Sequence, residues 1–147
     1  MPIWEPKQLA GQIRKGELQN LYYIYGADLV QVRQLTAALI KKATGGAPDM
    51  ALTRMDGQKL ELKALEDAAR QFSMFSEYNC IQVHDCNAPS LREEQLKQLL
   101  ELLKTVGGAT VLIFDVTGFD VKNGKRNPTG RNKKLIDCIA KYGVVCE

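Results

Sequence analysis

Short apolar runs alternate with longer amphipathic segments along this chain. Five runs have the length and the β-branched or aromatic content of buried strands, and they cover residues 21–25, 51–55, 78–85, 110–116 and 144–146. The segments around them repeat apolar residues every three or four positions, as amphipathic helices do, and the first helix begins at Pro6. This alternation predicts a three-layer α/β fold, a five-stranded parallel sheet with helices on both faces.

Turn and capping residues set the predicted ends of the helices. Asp28 with Gln31, and Ser90 with Glu93, have the spacing of a capping box. Glycines end the helical stripes at positions 16, 45–46, 107–108 and 143. The helix between the second and third strands is predicted from the apolar positions Leu62, Leu65, Ala69 and Phe72.

Length and composition predict one globular domain over residues 1–147. The chain is 45% hydrophobic and 25% charged, as soluble domains are. Its longest purely apolar run, residues 111–114, is too short to span a bilayer, and the N-terminus does not resemble a signal peptide. We therefore expect a cytoplasmic protein with no membrane partner. The net charge of +3 is too small to predict nucleic-acid binding by the whole surface.

The cysteines, at positions 80, 86, 138 and 146, form no C-x-x-C pair. This spacing excludes a zinc ribbon and a thioredoxin-type motif and favours reduced thiols. His84 lies between Cys80 and Cys86, and the three could share one strand face as a soft metal site. An ordinary strand histidine is the better interpretation, because a compact spacing and a fourth ligand are missing. The sequence therefore predicts no metal, no cofactor and no catalytic residue.

The turn after the first strand is where a nucleotide-binding fold would hold phosphate. A P-loop there needs the pattern G-x-x-x-x-G-K-[ST]. The turn at residues 26–31 keeps Gly26 and lacks the second glycine, the lysine and the hydroxyl. Asp28 would also place a negative charge at the helix N-terminus that should receive phosphate. The sequence thus predicts no triphosphate site here.

The fourth predicted strand contains four apolar residues followed by Asp115, and it resembles the magnesium-binding strand of P-loop ATPases. Val116 stands where an ATPase of the AAA+ kind would carry a glutamate to activate water. The simplest interpretation is a buried strand that ends in a solvated aspartate. Together with the Gly26 turn, this strand predicts an ATPase-like sheet without catalytic groups.

A basic segment is predicted as a loop over residues 122–134. It contains no acidic residue and six basic ones, Lys122, Lys125, Arg126, Arg131, Lys133 and Lys134. A nucleic-acid backbone would attract such a segment, so these six are candidate DNA-binding residues. A solvated surface loop is the alternative, because glycine, proline and asparagine dominate the other positions and no aromatic residue is present to stack on bases.

Residues 71–76, Gln-Phe-Ser-Met-Phe-Ser, follow the helix that carries Phe72. Periodicity alone places Phe75 in the core, whereas Met74 lies roughly 200° from Phe72 on a helical wheel and would face solvent. The functional alternative is an apolar plug that fills a pocket on a partner, because such anchors dominate binding energies.

Several segments, in their order and spacing, resemble the N-terminal domain of the bacterial DNA polymerase III delta subunit, part of the clamp loader. They are Leu21–Gly26 followed by Asp28, Ser73-Met74-Phe75 ahead of a strand, and residues 111–114 and 144–145. The resemblance covers nearly the whole chain. It implies a degenerate P-loop, AAA+-like module that does not bind ATP.

In that family, two apolar residues at the end of the second helix insert into a pocket on the sliding clamp and help the ring to open. The resemblance assigns this role by position to Met74 and Phe75, with Ser73 beside them, and reverses the core placement of Phe75. It also implies a helical lid and a helical collar that assembles the loader with its other subunits. This chain ends before both, so we expect a monomeric fragment that binds the clamp and acts in the bacterial cytoplasm, without catalysis of its own.

Two other functions stay open. One is a divergent P-loop-like nucleotide hydrolase or kinase, which would need a phosphate cradle elsewhere in the chain. The other is a DNA-binding module that uses the basic segment 122–134, and its affinity would fall steeply with salt.

Overall fold

The computed structural model describes residues 3–46, 52–71, 78–122 and 124–147. The described residues form one parallel sheet in the order β2-β3-β4-β1-β5. Its strands are β1 (Leu21–Ile24), β2 (Leu52–Asp56), β3 (Asn79–His84), β4 (Thr110–Asp115) and β5 (Val144–Cys146). Every residue of β1 and β4 is buried, as continuous apolar strands of a parallel sheet should be. The predicted five-stranded sheet is confirmed.

Helices cover both faces of this sheet. On one face lie α1 (Pro6–Lys15) and α2 (Leu29–Ala43), and on the other lie α3 (Leu62–Ala69), α4 (Glu93–Thr105) and α5 (Gly130–Tyr142). Successive strand residues point to opposite faces, so Tyr22 joins the core under α1 and α2 while Tyr23 joins the core under α3, α4 and α5. None of the described helices is long and apolar enough to cross a membrane.

Local interactions at the ends of α1 and α2 follow the sequence. The Asp28 carboxylate accepts the N–H of Gln31 at 3.1 Å, which is the bond that an N-cap residue makes. Gly16 ends α1 with a φ of 76°, a left-handed conformation that costs glycine little. The start of α2 and the end of α1 are therefore where the sequence predicts them.

The start of α4 differs from the prediction. Ser90 lies in a short 3-10 helix, Ala88–Ser90, and its hydroxyl donates to the Asn87 carbonyl at 2.7 Å. Glu93 is already the first residue of α4, and the Arg92 N–H donates to the side-chain oxygen of Gln95 at 3.0 Å. The capping box of Ser90 with Glu93 is therefore wrong, because Ser90 satisfies a bond within the preceding turn.

Two other boundaries are shifted. The helix α3 ends at Ala69, and Phe72 lies outside the described residues. The predicted loop 122–134 is also shorter than expected, because α5 begins at Gly130. This helix buries Leu135, Ile136 and Ile139, and its first turns fall within the basic segment. Arg131, Lys133 and Lys134 therefore lie on the helix and not on a loop.

A short N-terminal segment extends the sheet beyond β5. The Trp4 N–H donates to the Val145 carbonyl at 2.8 Å, and the Trp4 carbonyl accepts the N–H of Glu147 at 3.1 Å. These bonds form an isolated parallel bridge between Trp4 and Cys146.

Candidate functional site

The carboxyl ends of the strands meet at one edge of the sheet, which is where α/β folds usually bind ligands. At this edge the Gly26 turn lines a cavity of about 460 Å³ together with Glu147. The Glu147 carboxylate forms an ion pair with Lys122. Burial, followed by the Glu147 carboxylate, raises the pKa of the neighbouring Tyr25 phenol. The Gly26 turn is thus followed by the Asp28 carboxylate and faced by the Glu147 carboxylate. Two negative charges at this position disfavour the binding of a phosphate group.

His84, Asp115 and Gln82 form a hydrogen-bonded cluster at the ends of β3 and β4. The Nδ1 atom of His84 lies 2.7 Å from Oδ2 of Asp115, and Nε2 of Gln82 donates to Oδ1 of Asp115 at 3.1 Å. The Asp115 side chain is 4% exposed and that of His84 is 47% exposed. The prediction of a solvated Asp115 is therefore wrong, because the strand register places His84 directly opposite and its ring covers the carboxylate.

Asp85 connects this cluster to the loop after β4. Its carboxylate oxygen Oδ1 accepts the N–H groups of Thr117 at 2.8 Å and Gly118 at 3.0 Å, while Oδ2 lies 3.1 Å from Nε2 of His84. A Cβ atom on Gly118 would lie 2.5 Å from Oδ2 of Asp85, so a larger residue there would displace the carboxylate from these contacts. These contacts hold the loop 116–118 against the end of β3.

The soft metal site suggested by the sequence is not formed. Cys80 packs in the core under α1 and α2, whereas Cys86 packs in the core on the opposite face. The chain turns between His84 and Cys86 at Asp85, whose φ is 56°, and this turn separates the two thiols. Within the described ranges, no group of three or more His, Cys, Asp or Glu side chains could hold a metal ion. Burial raises the pKa of the Cys80 and Cys86 thiols to about 12, so both act as packing residues.

The six basic candidates do not form one open patch. Three have partners within the chain: Lys122 pairs with Glu147, Lys133 pairs with Asp137 at 2.5 Å, and the Arg131 guanidinium donates to the Leu91 carbonyl. The remaining three, Lys125, Arg126 and Lys134, are exposed. Lys134 lies beside the groove between α4 and α5, whereas Lys125 and Arg126 stay on the loop.

Ser73, Met74 and Phe75 lie outside the described residues, but both flanks of their segment are described. The carbonyl of Ala68 accepts a bond from Nδ2 of Asn79 at 2.7 Å, and the carbonyl of Ala69 accepts a bond from the Thr110 hydroxyl at 2.8 Å. These bonds satisfy carbonyls that a helix leaves open at its C-terminus. They also attach the end of α3 to the first residues of β3 and β4, at the edge of the sheet opposite the Gly26 turn.

No local pattern in the sequence links His84 to Asp115 or Asn79 to Thr110. The signal is a polar residue at the same end of two apolar strands. Parallel neighbours in register bring such residues side by side, and β3 and β4 pair Asn79 with Thr110 and His84 with Asp115. To predict both pairs from the sequence, one must know which strands are neighbours in the sheet, and not only which residues form strands.

Comparison with known proteins bears on this geometry. The family described as DNA polymerase III, delta subunit, matches residues 22–137. Comparison with curated proteins gives no match. The Bacillus subtilis DNA clamp loader delta protein superposes with a TM-score of 0.73 at 16% sequence identity, over 97% of this chain and 42% of its own. A DNA polymerase III gamma subunit-related protein from Thermotoga maritima superposes with a TM-score of 0.64 at 18% identity, over 95% of this chain and 46% of its own.

The chain therefore spans less than half the length of either solved structure. At these identities the two structures show the fold alone. The family match extends from Tyr22 in β1 to Asp137 in α5, which is well over half of the chain. The chain belongs to the DNA polymerase III delta subunit family.

Proposed function

We propose that this chain is the clamp-binding module of a clamp loader and that it acts through an apolar plug, Met74 and Phe75, with Ser73 beside them. The family match over residues 22–137 carries this proposal. The plug would enter a pocket on the sliding clamp and stabilise a strained or open state of the ring. A binding protein can shift such an equilibrium only by its difference in affinity for the two states.

The described flanks support this role for the segment. Asn79 and Thr110 fix the end of α3 to the sheet, and β3 begins only a few residues after the plug. Both ends of the segment therefore start from rigid elements. A short connection between fixed points loses less conformational entropy on binding than a free tail would.

The expected effect of removing the plug is large. An aromatic anchor buried at the centre of an interface contributes about 2 kcal/mol or more, which corresponds to roughly 30-fold in affinity. We therefore expect Phe75→Ala to weaken clamp binding by about that factor. Met74→Ala/Phe75→Ala should weaken it further.

Surface plasmon resonance against immobilised bacterial sliding clamp tests the assignment. Val30→Ala is the matched control, because Val30 is an apolar side chain on α2 with 61% exposure and lies far along the chain from the plug. Loss of binding in the double variant, with binding retained in the control, would support the plug. Equal binding by the folded double variant and the wild-type chain would refute it.

The same proposal includes the absence of ATP hydrolysis. Asp28 already accepts the first-turn N–H of Gln31, and Glu147 with Lys122 lines the cavity at the Gly26 turn. A triphosphate would meet two carboxylates there and no P-loop lysine. Calorimetric titration with ATP and magnesium should therefore give no binding at millimolar nucleotide. Micromolar binding would favour the nucleotide hydrolase or kinase instead.

The full subunit would contain more than this module. The chain spans 42% and 46% of the two solved structures that share its fold, which leaves room for the helical lid and collar expected from the family. We infer that those domains would join the other loader subunits and that the assembly would work on DNA in the bacterial cytoplasm. Size-exclusion chromatography of the chain alone should then show a monomer that does not assemble a loader.

A further inference from the structure

Charged residues are segregated between the two helix layers. The helices α1 and α2 contain no acidic residue and six basic ones, Lys7, Arg14, Lys15, Arg33, Lys41 and Lys42. The helices α3, α4 and α5 contain seven basic and six acidic residues, and several of them form ion pairs within a helix. The net charge of +3 thus conceals one strongly basic face.

A cleft of about 490 Å³ lies on this basic face, between α2 and the strands β2, β3 and β4. Basic side chains come from both walls, since Arg33 and Lys41 lie on α2 and Arg54 lies on β2. Arg33, Ala37 and Lys41 are spaced four residues apart and form one stripe along α2, about 12 Å long. The small Ala37 side chain leaves the space between the two cations open.

The charges of this cleft are available to a ligand. Asp115 is the carboxylate in the lining, and Gln82 and His84 already cover it. Among the ion pairs of the described residues, none involves Arg33, Lys41 or Arg54.

Stabilisation of helix ends does not account for these cations as a set. Lys41 lies in the last turn of α2, where a positive charge interacts favourably with the helix dipole. Arg33 lies nearer the other end of α2, and Arg54 lies in a strand. Two of the three cations therefore have no such structural reason.

We propose that this cleft, lined by Arg33, Lys41 and Arg54, binds the phosphate backbone of DNA. A whole helix layer with repeated cations and no carboxylate is complementary to a polymer of evenly spaced negative charges. A protein partner is less favoured, because the described lining of the cleft contains none of the aromatic or methionine side chains that are enriched at the centres of protein interfaces. The site goes beyond the clamp-binding function proposed above, and it uses a different face of the sheet and different residues.

Contacts of this kind do not read sequence. The logarithm of the binding constant falls linearly with the logarithm of the salt concentration. On a duplex, each phosphate that is neutralised contributes about 0.9 to the magnitude of that slope. Arg33→Gln/Lys41→Gln/Arg54→Gln should therefore lower that slope by about 2 to 3 and weaken binding roughly 10-fold or more at 0.1 M salt. All three side chains are exposed, so the variant should keep its fold.

Fluorescence anisotropy with a labelled primer–template duplex tests the proposal between 50 and about 200 mM salt. Lys63→Gln/Lys97→Gln/Lys141→Gln is the matched control, since it removes three exposed charges from the opposite helix layer. The control should bind DNA within about 3-fold of the wild-type chain. Arg33→Lys/Arg54→Lys keeps the charges and should restore most of the affinity, which separates charge from packing.

Three results would overturn the proposal: no DNA binding by the wild-type chain at low salt, an equal loss in the control variant, or DNA binding that survives in the cleft variant. If the cleft variant loses affinity only for poly-L-glutamate, the cleft serves an acidic protein. Clamp binding should be unchanged in the cleft variant. Failure of this proposal is therefore distinguishable from failure of the plug.

Discussion

His84 and Asp115 end neighbouring parallel strands, and Nδ1 of the histidine lies 2.7 Å from Oδ2 of the aspartate. The carboxylate is nearly inaccessible and also accepts a bond from Gln82. A buried carboxylate is stable only when its oxygens are bonded. This cluster therefore connects the ends of β3 and β4 through side-chain hydrogen bonds. It lies at the edge of the sheet where α/β folds usually bind ligands.

Removing the Asp115 carboxylate should destabilise the domain. Asp115→Ala leaves Gln82 and His84 without their shared acceptor, and we expect the free energy of unfolding to fall by about 1–3 kcal/mol in urea denaturation. Asp137→Ala is the control, because Asp137 is exposed and its ion pair with Lys133 should contribute less than about 1 kcal/mol. Equal losses in the two variants would show that the cluster has no special role.

The anchor of α3 gives a second prediction. Asn79→Ala and Thr110→Val each remove a hydrogen bond to the end of α3, and each should cost about 1–2 kcal/mol of stability. If the proposed plug depends on this anchor, clamp affinity should also fall. Thr105→Ala removes a hydroxyl bond at the exposed end of α4 and should leave clamp affinity unchanged. If clamp affinity is unchanged in all three variants, clamp binding does not depend on the hydrogen bonds that hold the end of α3.

Thiol reactivity should distinguish the cysteines. Burial raises the pKa of Cys80 and Cys86 to about 12 and that of Cys146 to about 11, and only the thiolate reacts. Cys138 is half-buried, so it should react first with a disulfide reagent at pH 8. The other three should react only on unfolding. A fast phase that persists in Cys138→Ser would contradict this order.

The same thiols predict a loss of stability in alkali. Their pKa values are near 9 when unfolded and about 11–12 when folded, so the native state binds more protons than the unfolded state above pH 9. Stability is therefore full below pH 9 and falls as the pH rises, by up to about 1.4 kcal/mol per pH unit for each thiol. Between roughly pH 8.5 and 10 we expect a total loss of about 4 kcal/mol.

Urea denaturation across this pH range measures that loss. Cys86→Ala removes one buried thiol from three, and it should flatten the pH dependence by about one third. A variant with the same slope as the wild-type chain would assign the loss to other groups. The buried Tyr22 phenol, with a pKa raised to about 12 by burial, would then be the next group to change.

The sheet and the helices could be predicted from the sequence because burial leaves a local pattern of apolar residues. Buried strands are short apolar runs, and helices repeat apolar residues every three or four positions. The strand Thr110–Asp115 is buried throughout and contains four consecutive apolar residues, and α2 shows its buried stripe together with its Asp28 cap. Boundaries follow less well where two local patterns compete. Ser90 could cap α4 or close the preceding turn, and only the packed structure shows that it closes the turn.

The contacts at the sheet edges could not be predicted in the same way. The pairs His84 with Asp115, and Asn79 with Thr110, depend on which strands are neighbours and in which register. That order is a property of the whole fold and leaves no local period. The solvated placement of Asp115 fails for the same reason. The metal site at His84 fails because Cys80 and Cys86 pack in the cores on opposite faces of the sheet, with a turn at Asp85 between His84 and Cys86. The plug at Met74 and Phe75 rests on the family and stays a prediction.

The Trp4 bridge has a consequence for self-association. An unpaired strand edge can template pairing with another chain and begin aggregation. At β5, the main-chain groups of Trp4 bind the carbonyl of Val145 and the N–H of Glu147, so these two groups are not free to pair with a second molecule. Trp4 therefore covers part of the β5 edge and leaves less of it exposed for pairing with another chain.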